Sequence, residues 1–275
     1  MMNFTPRGPL RTNDGPHGAA IIVNADDWGR DRVTTDRTLD CLLRGAISSV
    51  SAMVFMDDSE RAATLARSHR VDAGLHLNFT TAYSARQCPG RLIEHQQKLS
   101  RFLRSHRVAP IVFHPGLAAS FEYVVKAQCE EFERVYGAPA DRFDGHHHMH
   151  LCANVCAQKL LPSGSIVRRN LSFGAGEKGV LNRMYRRWQD NRLALRHRQA
   201  DFLFNLLPLY PRDRFKTICE LGLEYNVEIE THPINAEEYD FLIGGELLRY
   251  GPKVAITQGY VLRRAERNFD TGGLS

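Results

Sequence analysis

From Ala19 to Phe79 the chain repeats one unit: a short apolar run, a polar loop, and then a stretch with helical apolar spacing. Ala19 to Asn24 reads as a buried strand that stops at Ala25-Asp26-Asp27-Trp28-Gly29. A helix follows from Asp31 to Arg44, with Val33, Leu39, Leu42 and Leu43 at helical spacing and Gly45 as its stop. Ile47 to Phe55 is a second strand, an alanine-rich helix runs on to His69, and Gly74 to Phe79 alternates as a third strand that carries His76 near its end. This order implies parallel strands, because each covering helix returns the chain so that the next strand starts from the same end of the sheet.

The rest of the chain continues the pattern less regularly. Phe121 to Tyr136 is a helix stopped by Gly137 and Pro139, and Arg142 to His146 is the strand after it. Ser165 to Arg168 reads as a further short strand, and Gly174 to Asp201 as helix with Met184, Tyr185, Trp188 and Leu195 on its buried side. Val227 to Thr231 is a strand ending at His232-Pro233, and Val254 to Val261 is a candidate for one more. No repeat or linker divides the chain. It is expected to form a loose Pro/Gly/Arg/Asn-rich arm over residues 1–18 and one domain over 19–275, with a basic helical insertion at about 170–215.

No apolar run among the 275 residues approaches the roughly 20 needed to cross a bilayer, and the arm lacks the apolar middle of a secretory signal. Six scattered cysteines without a Cys-x-x-Cys pair fit reduced thiols, so a cytoplasmic location is expected. The net charge of +5 is mild, but Arg168, Arg169, Arg183, Arg186, Arg187, Arg192, Arg196 and Arg198 crowd together. They form either a solvated helix face or a surface for an anionic partner, such as a phosphorylated carrier or a membrane. No aromatic platform or binding motif accompanies them, which argues against nucleic acid.

In parallel α/β folds, functional groups gather where the carboxyl ends of the strands open onto a common face. Here those ends carry Asp26 and Asp27, His76, the run His146-His147-His148-Met149-His150, and His232. Each has an ordinary reading as loop chemistry or a satisfied core histidine. Together, one aspartate and two histidines make an oxygen and nitrogen ligand set for a catalytic divalent ion, with positions left open for water and substrate. The second aspartate is then free to act as a base. Within the histidine run, strand alternation sends neighbours such as His146 and His147 to opposite faces, so the whole run is not expected to bind one ion.

Four ordered segments carry a resemblance: Asn24 to Gly29, Gly74 to Leu77, Asp144 to His150 and Glu228 to Pro233. In order and spacing they resemble the motifs of the YdjC-like carbohydrate deacetylases, which include the chitooligosaccharide deacetylases. The resemblance implies a (β/α) barrel, complete or distorted, related to the polysaccharide deacetylases, and removal of N-acetyl groups from amino sugars. It implies one divalent metal ion, zinc or magnesium first and manganese or cobalt next, held by Asp27, His76 and His146. Asp26 is implied as general base and His232 as a proton-transfer group, with His148 the other candidate for protonating the departing amine. Glu228, His148 and His150 match further family positions, and with Arg168 they are candidates for substrate contact or for supporting the ligands. The implied partner is an N-acetylated sugar, free, in an oligosaccharide or on a carrier, and a homodimer is also implied. A metal-containing sugar-binding protein and another metal-dependent barrel enzyme, such as a sugar isomerase, are the alternatives. Trp28, Gly145 and Ile234 stand where the family commonly has Phe, Ser and Gly, and the stretches after Arg169 and after Gly244 match poorly.

Overall fold

Parallel strands give the fold its frame: β1 (Ala20–Trp28), β2 (Ser49–Ala52), β3 (Ala73–Leu77), β4 (Arg142–Gly145), β5 (Ile166–Val167), β6 (Phe202–Asn205), β7 (Val227–Thr231) and β8 (Ala255–Ile256). Between and after them lie α1 (Arg32–Leu43), α2 (Ser59–His69), α3 (Gly90–Leu103), α4 (Ala118–Tyr136), α5 (Ala153–Ala157), α6 (Val180–Ala194), α7 (Asp213–Glu224), α8 (Ala236–Ile243) and α9 (Glu246–Tyr250). This computed structural model describes residues 20–173, 178–250 and 254–262, so the arm expected over residues 1–18 lies outside the described residues.

The sheet runs in the order β5-β4-β3-β2-β1-β7-β6, with β8 joining the start of β1. It curls into an incomplete (β/α) barrel. One isolated bridge, Ile166 to Arg198, ties β5 to the approach to β6. Among the described residues no helix is long and apolar enough to cross a membrane.

Strand alternation sorts the side chains into two buried populations. Val23, Ala25, Val50, Ala52, Leu75, Leu77, Phe143, Val167, Val227 and Ile229 belong to the apolar core. Their neighbours Asn24, Asp26, Ser49, Ser51, His76, Arg142, Asp144, Glu228 and Glu230, together with Arg168 just past β5, are equally buried but polar. Burying a large apolar side chain stabilises by about 1.5–3 kcal/mol, whereas each buried polar group costs free energy unless it is bonded. The polar set is accordingly knitted together. Asn24 Nδ2 donates to Ser51 Oγ (2.7 Å), Ser49 Oγ donates to Asn24 Oδ1 (2.7 Å), and Arg142 Nη1 donates to Asn24 Oδ1 (3.0 Å). Gly74 makes room for this crossing, since a Cβ there would lie 2.8 Å from Arg142 Cζ.

On α1 the inward face is Thr34, Thr35, Thr38 and Cys41, with Leu39 and Leu42 partly buried against the core and Val33 and Leu43 exposed. Two expectations need correcting. On α6 the buried side is Gln189, Asp190 and Leu193, whereas Met184, Trp188 and Leu195 point outward. The stretch around 170–215 is also not a purely helical insertion, because it contains β6. With α6 between β5 and β6, its described part continues the alternation of strand and helix. Apolar periodicity located the helix but not the side it buries, because Asp190 and Gln189 satisfy partners that lie far away in sequence.

Candidate metal centre

Asp26 and Asp27 are adjacent in β1 and in a regular strand would face opposite ways. The pairing register of β1 with β2 shifts between Ala25 and Trp28, and Asp27 adopts a left-handed φ of 64°. Both carboxylates thereby reach the same site. Left-handed backbone at a non-glycine residue costs on the order of 1 kcal/mol or more, and such strain collects at functional positions.

Asp27, His76 and His146 form a buried group whose ligand atoms all lie within 4.8 Å of one another. His146 Nδ1 is 2.9 Å from Asp27 Oδ1, and His76 Nε2 is 3.4 Å from the same oxygen. Despite these approaches, Asp27 Oδ1 and His76 Nε2 are buried without a hydrogen-bond partner. Buried polar atoms are nearly always paired, so two orphans aimed at one point fit a divalent cation well. The other face of His76 is anchored, with Nδ1 donating to Asp144 Oδ1 at 2.8 Å. That is the carboxylate–histidine arrangement that fixes a metal-binding imidazole's orientation and raises its basicity.

Charge points the same way. Five buried carboxylates (Asp26, Asp27, Asp144, Glu228 and Glu230) are met by three guanidiniums, the buried Arg142 and Arg168 and the partly exposed Arg30, which bonds Asp27 Oδ2 at 3.0 Å, leaving a formal deficit of two positive charges. Burial alone would favour neutral His76, but the neighbouring Asp26 and Asp144 push its pKa up to about 10. A proton held there occupies the place that a cation would take. Burial likewise works to raise Asp27, but contacts with His146 and His76 outweigh it and hold the carboxyl well below the usual range.

Arg168 organises the acids behind Asp27, His76 and His146. It is not on a solvated helix face as its place in the arginine cluster suggested, but is fully buried just past β5. Its Nη1 and Nη2 donate to the two oxygens of Asp26 (2.7 and 2.8 Å), and Nε donates to Glu228 (2.8 Å). Asp144 lies 3.0 Å from Nη2 and Glu230 3.3 Å from Nη1. Burial opposes ionisation of Asp26, but the guanidinium prevails and keeps its pKa low. Glu230, by contrast, is pushed up to about 7 by burial and then by the charge on Asp26.

The histidine run does not continue β4. The strand ends at Gly145, and His147 and His148 take left-handed φ values of 56° and 57°, folding the run back. The expectation of opposite faces fails for this reason, and the rings of His146 and His147 lie 4.0 Å apart. His147 Nδ1 instead meets Thr80 Oγ1 at 3.0 Å. His148 Nε2 is 3.5 Å from Glu230, and burial presses its pKa down to about 4. His150 is wholly buried and donates from Nε2 to the backbone oxygen of Arg168 at 2.9 Å, so it braces that residue. Gly145 is needed where the run doubles back, since a Cβ there would sit 3.0 Å from His150 N. Glu228 is bonded to Arg168 and to Tyr260 Oη (2.5 Å), deep in the interior. His232 joins Asp26 and Glu230 in a second group of ligand-type atoms within 4.8 Å. Its backbone N–H donates to Glu238 Oε2 at 2.8 Å.

Asp144 and Glu230 were not singled out from the sequence. The signal for Glu230 was present, because Val227-Glu228-Ile229-Glu230-Thr231 alternates and places both glutamates on one face. Asp144 stands in register with His76 in the β3–β4 pair, a neighbourhood that only the sheet order reveals.

Known proteins share this fold and parts of this sequence. The fold resembles a crystal structure from Enterococcus faecalis V583, provisionally described as a cellobiose-phosphate cleavage protein. The TM-score is 0.59 at 15% identity, over 88% of this chain and 98% of the other. A mouse carbohydrate deacetylase is 28% identical over 145 residues, which is 50% of this chain and 44% of the mouse protein. A chitooligosaccharide deacetylase of Proteus mirabilis is 27% identical over 153 residues, or 52% of this chain and 57% of that protein. The chain thus spans about half the length of the curated relatives it matches. Residues 20–234 match the model of the YdjC-like protein family, and they contain both the ligand cluster and the acids behind it; the chain belongs to that family.

Proposed function

We propose that this protein is a metal-dependent hydrolase that removes the N-acetyl group of an amino-sugar substrate, releasing acetate and a free amine. The observation that carries the reading is the pair of orphaned buried atoms, Asp27 Oδ1 and His76 Nε2, beside His146 Nδ1. Asp27, His76 and His146 would hold a divalent ion, which when bound would supply Lewis acidity for the acetyl carbonyl and for water. Two imidazoles and one carboxylate favour zinc over magnesium, and manganese or cobalt also suit the set.

The surrounding residues have distinct tasks. Asp26 stays ionised under the hold of Arg168 and takes the proton of the attacking water. Arg168 fixes both oxygens of Asp26, so the carboxylate cannot swing away as it accepts the proton. His232 gives a proton to the departing amine. His148 suits that step less well, since burial presses its pKa down to about 4 and so disfavours the imidazolium at neutral pH, and as a neutral ring it is better suited to hydrogen-bonding the sugar. Glu230, with its pKa near neutrality, lies within reach of His232 and is suited to passing protons between it and water.

The relatives named a carbohydrate deacetylase and a chitooligosaccharide deacetylase support an acetylated sugar or oligosaccharide as the substrate class, and a carrier-linked form of it is tested alongside. Acetate release should be followed from N-acetylglucosamine and chitooligosaccharides, on protein of measured metal content, with and without chelator. Chelator-sensitive acetate release is the expected result. Metal-loaded protein that frees no acetate from any N-acetylated sugar or its carrier-linked form would overturn the reading.

A further inference from the structure

Helix α6 is anchored on one side and open on the other. Its inward face is held by Gln189, which donates to the Leu151 carbonyl (2.5 Å), and by Asp190, which accepts from the backbone N–H of Asn170 (2.9 Å). Its outward face carries Leu181, Met184, Trp188 and, just past the helix end, Leu195, which are 82%, 62%, 54% and 84% exposed. These positions follow helical spacing, so they line one stripe. A monomeric protein seldom leaves such a stripe uncovered.

A second apolar segment lies alongside. Val108, Ile111, Val112 and Phe113 are all exposed between α3 and α4. Ile111 and Trp188 line the same cleft of about 370 Å³, so the two segments form one continuous face. Cations frame it: Arg104 and Arg107 on one segment, Arg187 and Arg192 on the helix, and Lys159 and Arg196 at the cleft. Among the described residues, neither segment offers these cations a free carboxylate. The only carboxylate of α6, Asp190, is buried and paired with Arg169 (3.1 Å), and residues 104–113 contain none. Arg192 lies over the Trp188 ring at 5.2 Å, which places a guanidinium beside the most amphipathic side chain of the stripe.

We propose that this face seats the protein on an anionic lipid bilayer. Leu181, Met184, Trp188 and Phe113 would enter the headgroup region while Arg104, Arg107, Arg187 and Arg192 meet lipid phosphates. An apolar helix face flanked by basic residues and bearing a tryptophan is the composition that lies in a membrane interface. A second copy of the chain fits less well, because a two-fold contact places the same surface on both sides and so sets guanidinium against guanidinium. The face is also tied to the chain just after the histidine run. Gln189 bonds Leu151, and Asn154 Oδ1 accepts from the His114 backbone N–H (2.9 Å), so both segments are fixed to the residues directly after the histidine run. The docking itself is independent of the deacetylase reading, and its test requires no turnover.

Full-length protein should be mixed with phosphatidylcholine vesicles, with and without phosphatidylglycerol, and binding read by co-sedimentation. Only one of the two tryptophans is exposed, because Trp28 is buried, so a blue shift of the emission reports Trp188. The expected result is binding to the phosphatidylglycerol vesicles, a blue shift on binding, and weakening as salt is raised. Leu181→Asp with Met184→Ser, at exposed sites, should abolish the blue shift and leave the melting temperature unchanged. Arg187→Glu with Arg192→Glu should weaken binding on the order of tenfold or more. Failure of the parent to bind anionic vesicles overturns the proposal, as does binding that these variants do not alter. A parent dimer that dissociates in the Leu181→Asp, Met184→Ser variant and ignores vesicles assigns the face to a second copy, and equally overturns it.

Discussion

Replacing Arg168 by Met removes the one cation that four buried carboxylates share. The guanidinium holds Asp26 at 2.7 and 2.8 Å, Glu228 at 2.8 Å, Asp144 at 3.0 Å and Glu230 at 3.3 Å. Methionine fills part of the volume and leaves those acids uncompensated. Removing one partner of a buried ion pair costs about 3–5 kcal/mol. The four contacts are not additive, since one of the stranded acids can take up a proton and relieve the others, so the loss should fall at about 5 kcal/mol near pH 7. That is a large part of the roughly 5–15 kcal/mol that holds a typical domain together. The pH dependence follows from the same contacts. In the parent Arg168 keeps the pKa values of Asp26 and Asp144 low, and in the variant that hold is lost and both rise. The variant therefore recovers stability relative to the parent as the pH falls and its acids protonate. Urea unfolding at about pH 7.5 and about pH 5.5, with Arg168→Lys beside it, measures this. Lysine keeps the charge but loses the fork that spans Asp26, so it should fall between the two. A methionine variant within about 1 kcal/mol of the parent at neutral pH, or a penalty that grows on acidification, refutes the reasoning.

Other outcomes follow from the site. His76→Ala and His146→Ala should each lose the bound metal by elemental analysis, and Asp144→Asn should weaken its affinity about 10–100-fold; full stoichiometry in either alanine variant contradicts the ligand set. Asp26→Asn should keep the metal while acetate release slows about 10²–10⁴-fold, and an unchanged rate removes Asp26 as the proton acceptor. Because His76 in the metal-free site is pushed up to about 10, metal uptake at neutral pH should release a proton, seen as a dependence of the calorimetric heat on buffer ionisation enthalpy. Uptake without proton release counts against it. Glu230 is raised from 4.5 to about 7, so its contribution to stability is full below about pH 4.5 and is lost as the pH rises through 7. Glu230→Gln should flatten the pH dependence of the unfolding midpoint in that window, and an unaltered slope speaks against the assignment.

The strand-and-helix order was legible because each element leaves a local mark in the chain. His76 falls inside β3 as expected, α4 ends at Gly137 with φ 81°, and β7 runs from Val227 to Thr231. Strand ends could be paired with chemistry for the same reason, and Asp27, His76 and His146 do converge. Faces were harder. Met184 and Trp188 have the spacing of a core stripe, yet they are exposed, since the side of α6 that docks is chosen by the polar partners of Gln189 and Asp190. The histidine run misled through its backbone. Alternation presumes extended φ, and two left-handed residues cancel it.

Residue identity and periodicity are local properties, so the order of residues alone yields the candidate ligand types and their places at strand ends. The tertiary structure decided which of those groups meet. Arg168 looks like one more member of a basic cluster until β5 carries it into the interior, where it becomes the counter-ion of Asp26, Asp144, Glu228 and Glu230. Asp144 becomes the support of His76 only because β3 and β4 pair in that register. Electrostatic interactions depend on distance in space and on burial, and neither is written in the order of the residues.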